Sequence, residues 1–228
     1  MHARSIARER RLLVINPNTS SSITDLLCRH ISAQLGTRMA VHGVTAHFGE
    51  PYISSESTYV VGAHAVLDIW QTTVAGAYGI PDAVLIGCFG DPGLHALRDA
   101  CTVPVSGLAE AAFSVAARSG RFAIVTGGKA WEPMLQRLAL SLGYSPLLAG
   151  ICTITATGSQ LAADPVAAHT LLTDACLEAS KLDGVKAIIL GGAGLAGMAA
   201  TIGPSFHLPI IDSVTAGALW AIGAISYT

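Results

Sequence analysis

The sequence predicts an α/β fold of two similar Rossmann-like halves, each a short, mainly parallel four-stranded sheet flanked by helices. Apolar runs of strand length alternate with helical patterns along the chain, as is typical of parallel sheets. This alternation restarts at Arg121, after four strands. In each series the third strand is an apolar run that ends in glycine, at Gly87-Cys88 and at Gly191-Gly192. We therefore expect these two strand ends to face each other across a cleft between the halves.

The composition suits a large core and no extended basic surface. Hydrophobic residues make up 51% of the 228 residues and charged residues 12%, and the net charge is −2. This excludes a broad nucleic-acid interface and makes self-association into a homo-oligomer the expected state. We expect a flexible tail at 1–10, a first half at 11–105 completed by 215–228, and a second half at 106–214.

The cysteines and the start of the chain predict a reduced, cytoplasmic protein. The five cysteines are an odd number without a C-x-x-C pair, and no secretory signal is visible. The uncharged span 187–211 is interrupted by glycines and prolines and has strand-like ends, which argues against a membrane helix. His42 and His47 lack spaced partners for a metal site.

The elements of the first half follow from apolar runs and turn residues. Its strands are predicted at 11–16, 39–44, 83–88 and 103–105, and its helices at 23–35, 58–77 and 94–101. Thr19 or Ser20 is the candidate cap of the first helix, after a Pro-Asn turn. The third strand enters Cys88, glycines and a proline then turn the chain, and Asp91 is the candidate cap of the following helix.

The second half repeats this order. Its helices are predicted at 110–118, 131–142 and 164–181, with a short one after Gly194 and a closing one at 215–225, and its strands at 122–126, 150–155, 186–190 and 208–212. The pair Gly127-Gly128 marks the turn after its first strand. Asp164 and Pro165 are residues that commonly open a helix.

Cys88 is the residue with the clearest chemical potential. A residue at the carboxyl end of a buried strand, before a helix, lies where open α/β sheets place their ligands. Amides of that helix are expected to favour the thiolate. A thiolate in such a cleft can remove a proton next to a carbonyl, or act as a nucleophile. The alternative is a small buried side chain with a packing role alone.

Four motifs occur in a fixed order along the chain. They are Ile15-Asn16-Pro17-Asn18-Thr19, Gly87-Cys88-Phe89-Gly90-Asp91-Pro92-Gly93, Val125-Thr126-Gly127-Gly128 and Leu190-Gly191-Gly192-Ala193-Gly194. Together they resemble the aspartate/glutamate/hydantoin racemase superfamily, and within it the hydantoin and allantoin racemase branch. The resemblance extends from Arg11 to Ala224. It implies a small-molecule substrate, no cofactor, no metal, and one catalytic cysteine from each half.

The resemblance also implies roles for particular residues. Cys88 matches the first catalytic cysteine. It implies substrate-binding roles for Asn16, Pro17, Thr126 and Gly127, and we expect the loops at Phe89, Gly90, Gly192 and Ala193 to bind the substrate as well. The chain departs from the family pattern at the second cysteine, because Leu-Gly-Cys-Ala-Gly is replaced by a sequence with Gly192 at the cysteine position. Glycine cannot transfer a proton, so a mechanism with two thiols is not available as written.

Three interpretations follow from this departure. The first is a racemase of 5-substituted hydantoins or allantoin whose second base is another residue or a water, with His95, His207 and Asp212 as the titratable candidates. The second is a single-cysteine decarboxylase or isomerase of the arylmalonate decarboxylase or maleate isomerase type. The third is a non-catalytic binder on the same scaffold, or a chain in which glycine replaced the cysteine by design.

A dinucleotide site is the competing interpretation from another class. Residues 192–197 fit G-x-G-x-x-G after a predicted strand, and Asp212 follows 20 residues after Gly192. Only residues 213–228 remain after this acidic residue, which is enough for one helix and not for the further strands of such a unit.

Overall fold

The computed structural model describes residues 9–156 and 158–225, and within them eight strands form two parallel four-stranded sheets. The strands are β1 (Arg11–Asn16), β2 (Ala40–Thr45), β3 (Ala83–Ile86), β4 (Val105–Gly107), β5 (Phe122–Gly127), β6 (Leu148–Ile154), β7 (Ala187–Gly191) and β8 (Ile210–Asp212). The sheet orders are β2-β1-β3-β4 and β6-β5-β7-β8, so both sheets have the same topology. The predicted fold class is confirmed.

Helices cover both sheets. They are α1 (Ser21–Leu35), α2 (Glu56–Ala75), α3 (Leu94–Ala100), α4 (Leu108–Ala117), α5 (Trp131–Ser141), α6 (Gly158–Ala163), α7 (Pro165–Ser180), α8 (Met198–Ile202) and α9 (Ser213–Ile225). The helix α6 has no counterpart among the predicted elements. No helix in the described part of the chain is both long and apolar enough to cross a bilayer.

The central strands form the core because both of their faces are covered. The side chains of β1 from Leu12 to Ile15, and all of those in β3, are inaccessible to solvent. Strands buried on both faces are continuous apolar runs rather than alternating patterns, as these sequences are. Since all strands in a sheet are parallel, their carboxyl ends meet at one edge.

The closing helix α9 packs on both α1 and α4 and contacts β3. Gly217 permits this contact, since a Cβ there would lie 2.9 Å from the Leu85 side chain. The division into halves at 11–105, 106–214 and 215–228 stays a prediction. Most of the predicted tail, residues 1–8, lies outside the described residues, as do residues 226–228.

Many element boundaries differ from the predictions by a few residues, as at β3 and β4. β3 ends at Ile86, so Cys88 lies in the loop after the strand. β4 begins at Val105 rather than at Val103, because Pro104 has no N–H for the sheet. The carbonyl of Pro104 still accepts a hydrogen bond from Val84 N, and the ladder pairs Val84 with Val105.

Candidate active site

A cavity that is partly open to solvent lies between the carboxyl ends of the two sheets. The predicted site residues that line it are Cys88, Phe89, Thr126, Gly127, Gly192 and Ala193. They come from the loop after β3, the end of β5 and the loop after β7. The expected meeting of the two glycine-ended strands therefore occurs, and the carboxyl ends of both sheets line the pocket.

Cys88 lies two residues after β3 and is 7% exposed. Burial raises the pKa of its thiol, and the nearby carboxyl of Asp91 raises that pKa further. The expectation that helix amides favour the thiolate is therefore wrong for this geometry. The helix α3 begins only at Leu94, and the carboxyl of Asp91 is the charge that acts on the sulfur.

Asp91 anchors the Cys88 loop to a helix far along the chain. Its carboxylate accepts hydrogen bonds from Ala109 N at 2.9 Å and Glu110 N at 2.8 Å, at the start of α4. Its backbone is left-handed, with φ 53°, and a Cβ at Gly107 would overlap its carboxyl group. The predicted capping of α3 is wrong, because Gly93 is the N-cap there. Burial raises the pKa of Asp91 to about 7, although the two amides oppose this shift.

Phe89 connects the two halves at the pocket wall. Its ring lies against the α-carbon of Gly191, where a Cβ would overlap the ring. The neighbouring Gly90 is covered in the same way by the Trp131 ring. Phe89 thus packs on the backbone of a glycine at the carboxyl edge of the other sheet, and Trp131 does the same in the opposite direction. Because neither glycine has a side chain, the two sheet edges approach closely.

Three predicted substrate-binding residues do not line the cavity: Asn16, Pro17 and Gly90. Asn16 is fully buried, and its side-chain amide donates to Asn18 Oδ1, to the carbonyl of Ser20 and to Thr24 Oγ1. It holds the turn, while Asn18 lines the cavity. The motif indicates this turn, but not which asparagine lines the cavity.

The loop after β7 provides backbone but no acidic side chain. Gly192 has φ 152°, and a Cβ there would lie 3.2 Å from Leu195 Cγ. Its N–H donates to Ser213 Oγ at 3.2 Å. A three-residue 3₁₀ turn and then the five-residue α8 follow. A dinucleotide fingerprint needs a longer helix at this point, so the structure does not support that interpretation.

The candidates for a second base do not line the pocket. The Asp212 carboxylate accepts from the amides of Gly197, Val214 and Thr215, and so organises the start of α9. His95 lines a different cavity, beside α5. His207 is exposed on the loop before β8.

Tyr52 is a pocket residue that the sequence analysis missed. It lies in the loop between β2 and α2 and lines the cavity with Cys88. Its hydroxyl donates to the carbonyl of Gly127 at 3.1 Å, across the cleft. Gly128, with φ 88°, leaves room for this hydroxyl, since a Cβ there would lie 2.9 Å from it. A tyrosine in a loop without periodicity gave no signal in the sequence.

Comparison with known proteins identifies the family. Residues 12–221 match the Asp/Glu/Hydantoin racemase family. The chain belongs to this family. It is 30% identical over 207 residues to a hydantoin racemase of Paenarthrobacter aurescens, covering 90% of this chain and 87% of that protein. A hydantoin racemase of Pseudomonas sp. (strain NS671) is 30% identical over 212 residues, covering 92% and 84%.

Solved structures agree with this assignment. An allantoin racemase from Klebsiella pneumoniae superposes with a TM-score of 0.89 at 29% identity, covering 96% of this chain and 89% of that one. A double mutant of arylmalonate decarboxylase shares the fold, with a TM-score of 0.70 at 16% identity over 95% and 92% of the two chains. The relatives identify this family member as a racemase-type isomerase.

Proposed function

We propose that the protein racemises hydantoin-like cyclic amides, such as 5-substituted hydantoins or allantoin, with Cys88 as the acid-base group on one face of the substrate. The observation that carries the proposal is the position of Cys88 in a cleft between two sheet edges, in a chain similar to hydantoin and allantoin racemases. The substrate class comes from those relatives alone.

The proposed reaction begins when the Cys88 thiolate takes the proton from the carbon next to the carbonyl. The C–H bonding pair then delocalises onto the carbonyl oxygen as an enolate. In this proposal Thr126 and the backbone amides near Gly127 and Ala193, which line the cavity, hold that oxygen. Return of a proton to the same face restores the substrate, and delivery to the opposite face gives the other enantiomer. The proposal assigns no cofactor or metal to these steps.

The raised pKa of Cys88 fits this chemistry. A carbon acid of this kind is weak, and proton transfer is fastest when base and acid have similar proton affinities. Burial leaves little of the thiol ionised at neutral pH, but it makes the ionised form a stronger base.

One observation favours a second candidate function. Cys88 is the one thiol among the described residues that line the pocket. A single thiol is enough to protonate an enolate formed by loss of carbon dioxide. Decarboxylation of a malonate-type substrate is therefore the alternative reaction.

The test is deuterium exchange in deuterated water. Each enantiomer of allantoin and of several 5-substituted hydantoins is incubated with the wild type, Cys88→Ala and Cys101→Ala, while deuterium uptake and optical rotation are followed. Cys101 is the matched control, since its partly buried thiol donates to Val103 O and does not line the pocket. We expect wild type and Cys101→Ala to exchange and racemise, and Cys88→Ala to lose both.

Other outcomes separate the alternatives. Exchange with retained optical rotation in the wild type would show that protons are exchanged on one face of the substrate only. Decarboxylation of malonate-type substrates would then be tested. Racemisation by Cys88→Ala at the wild-type rate would remove Cys88 from the mechanism. No exchange with any hydantoin would overturn the proposed substrate class.

We also propose that the enzyme is cytoplasmic and forms a homo-oligomer. All five cysteines are free, which suits a reduced cytoplasm. Self-association stays a prediction from the apolar composition, to be measured by light scattering on the eluted protein.

A further inference from the structure

We infer that Tyr52 is the proton donor and acceptor on the face of the substrate opposite Cys88, in the place of the absent second thiol. This inference rests on the proposed racemisation. Because Gly192 replaces the second cysteine, another group must exchange a proton on the second face of the substrate, and we assign this role to Tyr52.

The first step is the chemical inventory of the pocket. Among the described side chains that line it, the thiol of Cys88 and the phenol of Tyr52 are the two with a titratable proton. Asn18 and Thr126 also line it, but an amide and an aliphatic hydroxyl are far weaker acids.

The second step is the position of the Tyr52 hydroxyl. The residue belongs to the first half, but its hydroxyl is bonded to Gly127 O at the end of β5, in the second half. In the sheet, Thr126 pairs with Gly191 of β7. Neighbouring strands lie about 4.8 Å apart, so the hydroxyl is at the strand end next to Gly192. The hydroxyl therefore lies at the carboxyl edge of the second sheet, whereas Cys88 follows β3 of the first sheet, across the same cavity.

The third step is how firmly Tyr52 is held. The loop that carries it is tied to the first half by hydrogen bonds from Ala46 N to Asn16 O and from Thr19 N to Glu50 O. The next residue, Ile53, is 2% exposed and packs where Gly62 has no side chain. Gly128 leaves room for the hydroxyl itself. The backbone of Tyr52 is thus held by its loop, and the hydroxyl is held by the carbonyl of Gly127.

The proton transfer balances without a further reactant. When the enolate carbon is protonated on this face, the O–H bond of Tyr52 breaks, the new C–H bond forms and the phenolate keeps the electron pair. A phenol, with an ordinary pKa of about 10, is a stronger acid than the protonated carbon. In the reverse direction the phenolate removes that proton and Cys88 supplies the other. Solvent resets the two groups between turnovers.

The decisive experiment compares Tyr52→Phe with wild type in the deuterium assay. A racemisation has an equilibrium constant of one, so kcat/KM must fall equally for both enantiomers. We expect this fall to be at least about 100-fold, the usual size of a general acid-base contribution. Exchange with retained configuration should survive for the enantiomer whose proton faces Cys88, and this surviving exchange shows that the variant is folded.

Tyr78→Phe is the control for loss of a tyrosine hydroxyl. The Tyr78 hydroxyl is buried without a hydrogen-bond partner among the described residues, and it does not line the pocket. We expect this variant to racemise like wild type.

The remaining outcomes overturn the inference. Unchanged racemisation by Tyr52→Phe excludes Tyr52 as the proton donor while leaving Cys88 in place. Loss of both exchange and racemisation by this variant assigns Tyr52 a structural role. Wild-type exchange without inversion shows that nothing serves the second face. A wild type that exchanges no hydantoin removes the proposed function itself, and this inference with it.

Discussion

Burial and the carboxyl of Asp91 both raise the pKa of Cys88, and this sets the expected pH dependence of the reaction. Below the pKa of a thiol, the thiolate fraction grows about tenfold per pH unit. We therefore predict that kcat/KM for racemisation rises steadily from pH 7 to pH 9, measured with Cys88→Ala as the blank at each pH. A plateau already below pH 8 would contradict the raised pKa.

Gly192 tests whether the second wall accepts the thiol of the family pattern. Its φ of 152° is a conformation that favours glycine, so any side chain there strains the backbone, by about 1–3 kcal/mol. We predict that Gly192→Cys and Gly192→Ala lose similar stability in urea denaturation. Only the cysteine variant adds an acid to that wall, so it should racemise faster than the alanine variant. Equal rates would show that the thiol does not reach the substrate.

At the scale of elements, Asp91 joins the Cys88 loop to the start of α4 through two amide hydrogen bonds. In Asp91→Asn one of these acceptors becomes an N–H donor facing another N–H. We predict a loss of about 1–3 kcal/mol in the free energy of unfolding, together with lower activity.

The matched control for this change is Asp164→Asn. Among the described residues, the Asp164 side chain accepts one hydrogen bond, from Ala167 N at the start of α7, and Asp164 is exposed. Asparagine caps helices about as well as aspartate, so this variant should lose little stability in the same denaturation experiment. Similar losses in the two variants would refute the special role of the buried anchor.

The elements that the sequence predicts well are those determined by local pattern. The strands β3 and β7 were predictable because a strand that is covered on both faces is a continuous apolar run, without alternation of polar and apolar residues. The capping of α4 by Asp91 was not readable, because donor and acceptor are 18 residues apart and meet only in the fold. The motif around Asn16 predicted the turn but not that Asn18 lines the cavity, because that depends on where the turn lies relative to the other sheet. The position of Tyr52 in the pocket could not be predicted, because its hydrogen-bond partner Gly127 is 75 residues away in the sequence.

At the scale of the whole molecule, two sheets of the same strand order present their carboxyl ends to one cavity. Their approach depends on side chains that rest on bare backbone, above all Phe89 on Gly191. We predict that Gly191→Ala destabilises the protein by about 1–3 kcal/mol through overpacking and lowers activity.

Gly223→Ala is the matched control, because a Cβ at Gly223 meets nothing within 4 Å and the residue lies in α9. Alanine is preferred to glycine in a helix by about 1 kcal/mol, so this variant should be slightly more stable. Thermal melts of the two variants measure the contrast. A neutral Gly191→Ala would show that the ring moves aside freely.

The contact between Phe89 and Gly191 also limits how the chain can evolve. A side chain cannot appear at position 191 while a phenylalanine ring occupies its space, so the ring must first become smaller. The predicted loss of stability in Gly191→Ala therefore favours the order in which position 89 changes first. Among descendants of this sequence, positions 89 and 191 should change together, although they belong to different halves and lie 102 residues apart.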